Sequence, residues 1–502
     1  MRLGSIALAA AACMDPRPPA LPSGTDPPSS TEHGLAAVCE LDGVDVVSLV
    51  ATAGEPDTMV ELEVTLANDA PAAGACIAEG EPDQIFFAES TVAARVHHLR
   101  LSGLLPDASY TCTAAPTCPA RLGAPASTTW QTSSPPADVP PFNVMIDPTL
   151  GMTGVWTLAP TARGLAASQA WIAIWGADGR PRWWTPLPVG VRMSVEALYD
   201  AADGTIVWGG GKSPEGRIRV HHLWDGELYA WAPEGWEEIV FHHDGKRLAD
   251  GRLLTLENRI NSANGDIWEG FRIRVHDPVT GRVDFDFDSQ TFVDQGILHT
   301  PGIDNNDAYH ANWVDWHESA EGPRVYVSLC SAEQILAIDA STGGLAWLLG
   351  KHLGWRVLDA AGHALPDSAL PDCQHGLDVI SDDHFLVYDN GQNTPSSHAQ
   401  EWLVDPVTRT AQRIWNWTED GWSQWWLGDV DDLGYGRVLV TEAPGPVVEV
   451  DKATGRVASR FALTGDGETY RAERYDGCAL FTSVKECPDL AERYERVRPW
   501  LE

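Results

Sequence analysis

Between residues 142 and 502 the hydrophobic and polar positions repeat one pattern: a short apolar run, a turn that begins with Asp and contains Gly or Thr, and a second run rich in aromatic residues. Alternating runs separated by such turns predict antiparallel strands. The turns lie 46 to 66 residues apart, at Asp178, Asp225, Asp277, Asp339, Asp405 and Asp451. A repeat of this length is typical of propeller blades. Six turns therefore predict an all-β, six-bladed β-propeller over 142–502, with a helix only near Leu490 to Trp500.

Residues 35–135 have a different pattern, in which short alternating apolar runs are not followed by the repeated turn. This pattern predicts a small β-sandwich. The turn that begins at Gly103, followed by Tyr110, resembles the turn and corner tyrosine of fibronectin type III domains. A Pro-rich stretch over 133–141 marks the predicted boundary with the propeller.

The first residues indicate export. Arg2 precedes a largely apolar run over 3–12, which has the length of a signal-peptide core, and small residues lead into Cys13. Residues 1–13 thus form an export segment that loosely resembles a lipoprotein signal; acylation of Cys13, ordinary cleavage and an unprocessed start remain open. A Pro- and Ser-rich segment over 14–34 predicts a disordered linker. The expected location is the periplasm or the outer cell surface, with the membrane reached only through a lipid on Cys13.

Charge and cysteine content narrow the possible partners. The chain has 71 Asp and Glu against 34 Lys and Arg, a net charge of -37, which argues against a nucleic-acid partner. Eight cysteines remain after Cys13, an even number that is typical of disulfides in an oxidising compartment. Loop length favours the pairs Cys478–Cys487, Cys112–Cys118 and Cys39–Cys76. For Cys330 and Cys373, a disulfide and two separate thiols both remain open.

Four histidines are candidates for chemistry because they lie where propeller strands would enter a central channel. They occur in the phrases Phe-His-His-Asp, Asp-Ala-Tyr-His-Ala-Asn and Cys-Gln-His-Gly, and are His242, His243, His310 and His375. A lone histidine is more often structural. Equivalent placement in successive blades favours a shared site.

These phrases, with the residues that follow them, resemble the bacterial arylsulfate sulfotransferase family. The matching segments are HHDGKRLADGRLLTL, DAYHANWV, VYVSLCSAEQILAIDASTGGLAWLLG and QHGLDVISDDHFLVYDNG. The resemblance implies transfer of a sulfuryl group from a phenolic sulfate ester to a phenol through a sulfohistidine at His375, without metal, nucleotide or other cofactor. It also implies that His310 and His243, or its neighbour His242, assist the transfer. The expected partners are therefore small aryl sulfates and phenols; the oligomeric state is left undetermined.

The chain departs from the family at one important position. Cys330 stands where the family has an arginine that stabilises the transferring anion, and Lys351, His352 and Arg356 are the nearby candidates to replace that charge. Two functions therefore remain open: an active sulfotransferase, or an inactive surface-tethered propeller that binds a ligand or a protein.

Two further segments near the predicted channel have simpler interpretations. The tryptophans between Trp415 and Trp426 either pack between blades or form the wall of an acceptor pocket. The acidic residues around Asp429 predict a solvated loop rather than a calcium site.

Overall fold

The computed structural model describes residues 44–118, 124–163, 169–188, 197–209, 217–232, 241–299, 307–465 and 467–502. The predicted export segment and linker, Cys13 and Cys39 lie outside the described residues, so export, lipidation and location stay predictions. Within the described ranges, no helix is long and apolar enough to cross a membrane.

The N-terminal unit is one antiparallel sheet with the order β1-β2-β4-β5 and with β3 on the other side of β2. Its strands are β1 (Val46–Ala53), β2 (Met59–Ala78), β3 (Glu81–Ser102), β4 (Ser109–Pro116) and β5 (Ala126–Gln131). The pairing of β2 with β3 shifts register between Thr65 and Ala70. Such irregularities bend a strand, and alternate residues of β2, including Val60, Leu62 and Val64, lie in one buried core.

Tyr110 forms the corner that the sequence predicts. Its hydroxyl accepts a hydrogen bond from the backbone N–H of Leu105 at 2.6 Å and donates to the backbone oxygen of the same residue at 3.3 Å. This contact fixes the turn before β4. Membership of the fibronectin type III family stays a prediction.

The all-β class and the propeller are confirmed by the sheets that follow. In the described part of the chain there are six. Sheet 1 contains β7 (Trp156–Arg163), β8 (Ala170–Trp175) and β9 (Pro181–Pro186), and sheet 2 contains β10 (Ala197–Asp200), β11 (Thr205–Trp208), β12 (Ile218–His222) and β13 (Gly226–Trp231). Sheet 3 contains β14 (Phe241–Arg247), β15 (Leu253–Ala263), β16 (Asp266–His276) and β17 (Val283–Asp288), and is followed by helix α1 (Ser289–Asp294).

The remaining three sheets continue the same up-and-down order. Sheet 4 contains β18 (Ala311–Ser319), β19 (Gly322–Leu329), β20 (Gln334–Asp339) and β21 (Gly344–Gly350). Sheet 5 contains β22 (Arg356–Leu358), β23 (His375–Ser381), β24 (His384–Asp389), β25 (His398–Asp405) and β26 (Thr410–Trp417), with a 3-10 turn at Asp367–Ala369. Sheet 6 contains β27 (Asp429–Gly434), β28 (Arg437–Thr441), β29 (Val447–Asp451) and β30 (Val457–Leu463). Strand β22 pairs in parallel with β26 at the outer edge of sheet 5. The inner strands β14, β18, β23 and β27 of sheets 3 to 6 lie against one another in this order, as the inner strands of a propeller do.

Two exchanges of strands close the ring. Strand β6 (Phe142–Ile146) pairs with β30 at the outer edge of sheet 6. Strands β31 (Gly467–Thr469) and β32 (Glu473–Tyr475) both pair with β7 and become the inner edge of sheet 1. The segment between β31 and β32 is thereby brought to the centre of the propeller, beside the starts of the other inner strands.

The chain ends on the N-terminal sheet rather than on the propeller. Helix α2 (Gly477–Leu480) leads to helix α3 (Pro488–Leu501), whose start is favoured by Pro488 at its first position. Tyr494, Val497 and Leu501 have the three- and four-residue spacing of one helix face. They pack against Phe87 and small residues of β2 and β4. The terminal helix predicted from the sequence is confirmed.

Three disulfides lie within the described residues. Cys478–Cys487 is present as predicted, and Cys330 pairs with Cys373. The predicted pairs Cys112–Cys118 and Cys39–Cys76 are wrong, because Cys76 bonds to Cys112. These two residues lie directly opposite each other on the paired strands β2 and β4. Strand register, which loop length does not reveal, decides this pairing; Cys118 is also disulfide-bonded.

Candidate functional site

Three of the four predicted histidines meet at the centre of the propeller. The ring centres of His243 and His310 are 4.7 Å apart, and those of His310 and His375 are 6.3 Å apart. Tyr470, from the segment between β31 and β32, lies 6.4 Å from both His243 and His375. Strand β14 also contains His242, but its side chain lies outside the described residues. The site is therefore built by four different sheets.

Each histidine lies at or near the start of an inner strand. His243 and His310 have positive φ angles, 60° and 45°, and Cys373, two residues before His375, has 47°. Such angles are uncommon for residues other than glycine and are concentrated at functional sites. Left-handed residues at the strand entrances direct these side chains into the channel mouth rather than along the sheets.

A hydrogen bond to Asn390 fixes the tautomer of His375. The Asn390 side-chain nitrogen donates to the backbone oxygens of Gln424 at 2.8 Å and Leu427 at 2.7 Å. Its Oδ1 therefore faces Nδ1 of His375, at 2.7 Å. Because an amide oxygen only accepts, the imidazole hydrogen lies on Nδ1, which leaves the Nε2 lone pair available as a nucleophile.

Burial keeps His375 neutral. The residue is 2% exposed, and this burial lowers its pKa to about 3 although the bond to Asn390 acts in the opposite direction. The nearby charges of His310 and Arg471 lower the pKa further. A neutral imidazole is the nucleophilic form.

The two neighbours of His375, Gln374 and Gly376, hold its backbone in position. The side chain of Gln374 donates to the backbone oxygen of Gln334 at 2.7 Å, and its own backbone oxygen accepts from Asn312 at 2.8 Å. Gly376 has a φ of 37°, and a Cβ atom there would lie 2.1 Å from Oδ1 of Asp429. A side chain at this position would therefore displace Asp429 or the strand that begins with His375.

His310 is oriented by its own turn. The Asp307 carboxylate accepts from the backbone N–H of His310 at 3.1 Å and lies 2.5 Å from its Nδ1. The carboxylate can only accept, so Nδ1 carries a hydrogen and Nε2 points away from Asp307. This arrangement suits a histidine that transfers protons at Nε2.

Sequence reasoning missed Arg471, which connects the strands of His243 and His310 with the start of β27. Its guanidinium lies 3.4 Å from Asp244, next to His243, and donates to the backbone oxygen of Asn312 at 3.1 Å. Its Nε lies 4.0 Å from Asp429, the residue that faces Gly376. The predicted solvated loop at Asp429 is wrong, because this residue begins the inner strand β27 and is buried.

Tyr470 was also missed. It is buried, and its hydroxyl donates no hydrogen bond to the residues that the structure describes. Burial raises its pKa to about 12, so the hydroxyl keeps its hydrogen. No local motif marks Tyr470 or Arg471; only the pairing of β31 and β32 with β7 brings them here. An unused buried donor beside three histidines is suited to an anionic ligand.

The cations that the sequence suggested near Cys330 are either paired with carboxylates or exposed. Lys351 pairs with Glu333 at 2.8 Å and with Asp372 at 3.5 Å. The His352 side chain is 92% exposed, and Arg356 is exposed on the outer strand β22. Cys330 itself does reach the site, because its sulfur lies within 4.8 Å of a ring nitrogen of His375.

The tryptophans from the end of β26 onward divide into two groups. Trp417 and Trp422 pack in the core between sheets 5 and 6. Trp425 is exposed, and Trp426, whose ring centre is 5.7 Å from that of Trp425, packs beside Leu427 and Tyr470. Packing between blades is therefore observed for Trp417 and Trp422, and the acceptor pocket stays a prediction.

The propeller region of the chain matches a known protein family. The family model described as Arylsulfotransferase (ASST) matches residues 166–463, more than half of the chain. No curated protein matches. Three similar solved structures each share 10% sequence identity with the chain. The Cps50 (Swd1) propeller of Myceliophthora thermophila matches 65% of this chain and 87% of its own, with a TM-score of 0.36. A putative 6-phosphogluconolactonase of Bacteroides fragilis matches 81% of this chain and 98% of its own, and TolB of Acinetobacter baumannii matches 74% and 80%, both with a TM-score of 0.35. These likenesses are too distant to bear on function.

Proposed function

The chain belongs to the arylsulfotransferase family, and from this we propose that it transfers a sulfuryl group from a phenolic sulfate ester to a phenol through a sulfohistidine at His375. The family suggests aryl sulfate transfer. The observation that supports the finer proposal is the neutral, buried His375 with its hydrogen held on Nδ1 by Asn390. The same observation favours an enzyme over a propeller that only binds.

In the first half-reaction, the Nε2 lone pair of His375 attacks the ester sulfur. A nitrogen–sulfur bond forms, and the bond between sulfur and the phenolic oxygen breaks with its electron pair going to that oxygen. His310 donates a proton to the departing oxygen. In the second half-reaction the acceptor phenol gives a proton to His310 and its oxygen attacks sulfur, which releases neutral His375.

The three sulfuryl oxygens need donors, since the family arginine is absent. Tyr470 lies beside His375, and His243 lies beside both Tyr470 and His310. The Tyr470 hydroxyl and His243 are the proposed donors. Arg471 is already held by Asp244, Asp429 and the Asn312 backbone. We therefore assign it as a positioning residue, which holds the strands of His243 and His310 against the start of β27.

The aromatic part of donor and acceptor is assigned to the exposed Trp425 and its neighbour Trp426. These indoles lie in the loop whose Gln424 and Leu427 oxygens hold Asn390. A planar phenol stacked there would approach the site from solvent.

A two-step assay tests the proposal. With a chromogenic aryl sulfate and a phenol, the protein should release the aryl alcohol with ping-pong kinetics, and without acceptor it should retain an acid-labile sulfo group on one histidine. His375→Ala should lose both release and labelling, and His310→Ala or His243→Ala should slow the first step by about 100-fold or more. His363→Ala, which changes an exposed histidine, is the matched control. Labelling that persists in His375→Ala would refute the mechanism.

Export belongs to the same proposal. The disulfides of the described residues support an oxidising compartment. Labelling of cells with a radioactive fatty acid tests lipidation: the parent should be labelled, and Cys13→Ser should not. An unlabelled parent with an intact Cys13 would leave ordinary cleavage or an unprocessed start.

A further inference from the structure

Cys330, Cys373 and His375 form the tightest ligand cluster of the described chain. One sulfur of each cysteine and one ring nitrogen of the histidine all lie within 4.8 Å of one another, and all three residues are buried. In the ranges that the structure describes, no other group of three His, Cys, Asp or Glu residues is as compact.

The fold builds this cluster independently of the bond between the two sulfurs. Cys330 directly follows β19, and its backbone N–H donates to the backbone oxygen of His310 at 3.1 Å. The segment 372–374 is held separately, because the Asp372 N–H donates to Asp389 at 2.8 Å and Gln374 is bonded to sheet 4. These hydrogen bonds do not require the disulfide, so the two sulfurs remain near His375 when it is opened.

Two thiolates and one imidazole are the protein ligands of a Cys₂His zinc site that keeps its fourth position open. Soft sulfur ligands also select Zn²⁺ or Co²⁺ over Mg²⁺ and Ca²⁺. We propose that the chain, once the Cys330–Cys373 disulfide is reduced, binds one Zn²⁺ through both sulfurs and a ring nitrogen of His375.

The chemistry balances with a dithiol as reductant. The dithiol gives two electrons to the Cys330–Cys373 bond and becomes a disulfide itself, and its two protons go to the cysteine sulfurs. Zinc binding then releases these two protons, because the metal binds thiolates. The metal would bind His375, the residue that the proposed function uses as nucleophile. The intact disulfide therefore keeps thiophilic metals away from His375.

Cobalt binding tests the site without any enzymatic assay. The parent is reduced with dithiothreitol, freed of reductant without oxygen and titrated with Co²⁺. We expect one more bound equivalent than in the Cys330→Ser/Cys373→Ser variant treated in the same way, with a thiolate-to-cobalt absorption band. His375→Ala should bind that equivalent at least about 10-fold more weakly. Cys478→Ser/Cys487→Ser, which removes a disulfide far from any third ligand, should keep the band.

Three results would overturn the proposal: equal cobalt binding by the reduced parent and the double variant, equal binding by the reduced and the oxidised parent, or an undiminished affinity in His375→Ala. If the double variant does not fold, alkylation of the reduced parent answers the question instead. Zn²⁺ should protect Cys330 and Cys373 from iodoacetamide, as seen in peptide maps, and equal alkylation with and without Zn²⁺ would refute the site.

A second experiment, inhibition of turnover by Zn²⁺, rests on the proposed function. Zn²⁺ should inhibit the reduced parent and spare the oxidised one. An oxidised parent without any turnover counts against the proposed sulfotransferase, whereas cobalt binding decides the metal site alone.

Discussion

The Asn390→Ala variant should show how much the hydrogen bond that orients His375 contributes to sulfuryl transfer, because it removes this bond and keeps the histidine. The parent amide makes three short hydrogen bonds, one to His375 and two to backbone oxygens, all between 2.7 and 2.8 Å. Alanine leaves the Nδ1–H of a buried imidazole without its acceptor, so the hydrogen can move to Nε2 and block the attacking lone pair. The histidine itself remains.

The magnitude follows from the lost bond. A buried donor left without a partner costs about 1 to 3 kcal/mol, so the rate of sulfuryl transfer to His375 should fall about 5- to 150-fold. Stability should fall by about 2 to 4 kcal/mol, because two backbone oxygens also lose their donor. Asn390→Asp retains an acceptor but places a negative charge beside Nδ1, which raises the pKa of His375 and favours its protonated, non-nucleophilic form.

Single-turnover release of the aryl alcohol, measured without acceptor, isolates this half-reaction. Circular dichroism and thermal unfolding establish the folded fraction of each variant. Asn416→Ala, which changes an exposed asparagine of β26, is the matched control and should behave as the parent. A folded Asn390→Ala protein whose first step is within twofold of the parent would refute the assigned tautomer.

Four further outcomes are expected. Because the pKa of His375 is lowered to about 3, kcat/KM for the donor should show no loss from protonation of His375 between pH 7 and 5; a decline with an apparent pKa near 6.5 that persists in the residual activity of both His310→Ala and His243→Ala would contradict this. Arg471→Met should raise the pKa of His375, since the guanidinium lowers it, and should slow transfer; an unchanged pH profile and rate would exclude a positioning role. Tyr494→Ala should destabilise the protein by about 3 kcal/mol in thermal unfolding, since its ring packs against Phe87, while activity per folded molecule stays constant. Burial raises the pKa of Asp389 to about 7, above its unfolded value, so the parent loses stability as pH rises through 7; Asp389→Asn should lack this decline in denaturant titrations at pH 5 and 8.

The fold was readable from the sequence because its turns are stabilised locally. In the turns at Asp277 and Asp405, the Asp side chain accepts hydrogen bonds from the backbone two and three residues later and from the Thr hydroxyl. Such turns leave a sequence signature wherever they occur. The same is true of Tyr110 and of the Pro488 helix start.

The parts that sequence reasoning missed depend on contacts between distant segments. Tyr470 and Arg471 belong to the site only because β31 and β32 pair with β7, about 310 residues earlier in the chain. The pairing of Cys76 with Cys112 depends on strand register, and the docking of α3 depends on a sheet that begins more than 400 residues earlier. The histidines could be predicted because each lies in a short sequence motif. No such motif marks Tyr470 or Arg471.

Completion of the site depends on the closing strands. His243, His310 and His375 precede Tyr470 and Arg471 in the chain, and without these last residues the inner edge of sheet 1 is missing. A chain truncated before residue 470 contains the three histidines but neither the hydroxyl beside His375 nor the guanidinium that joins Asp244 to Asn312. If His375 acts as proposed, such truncated copies should be inactive even when most of the blades have formed.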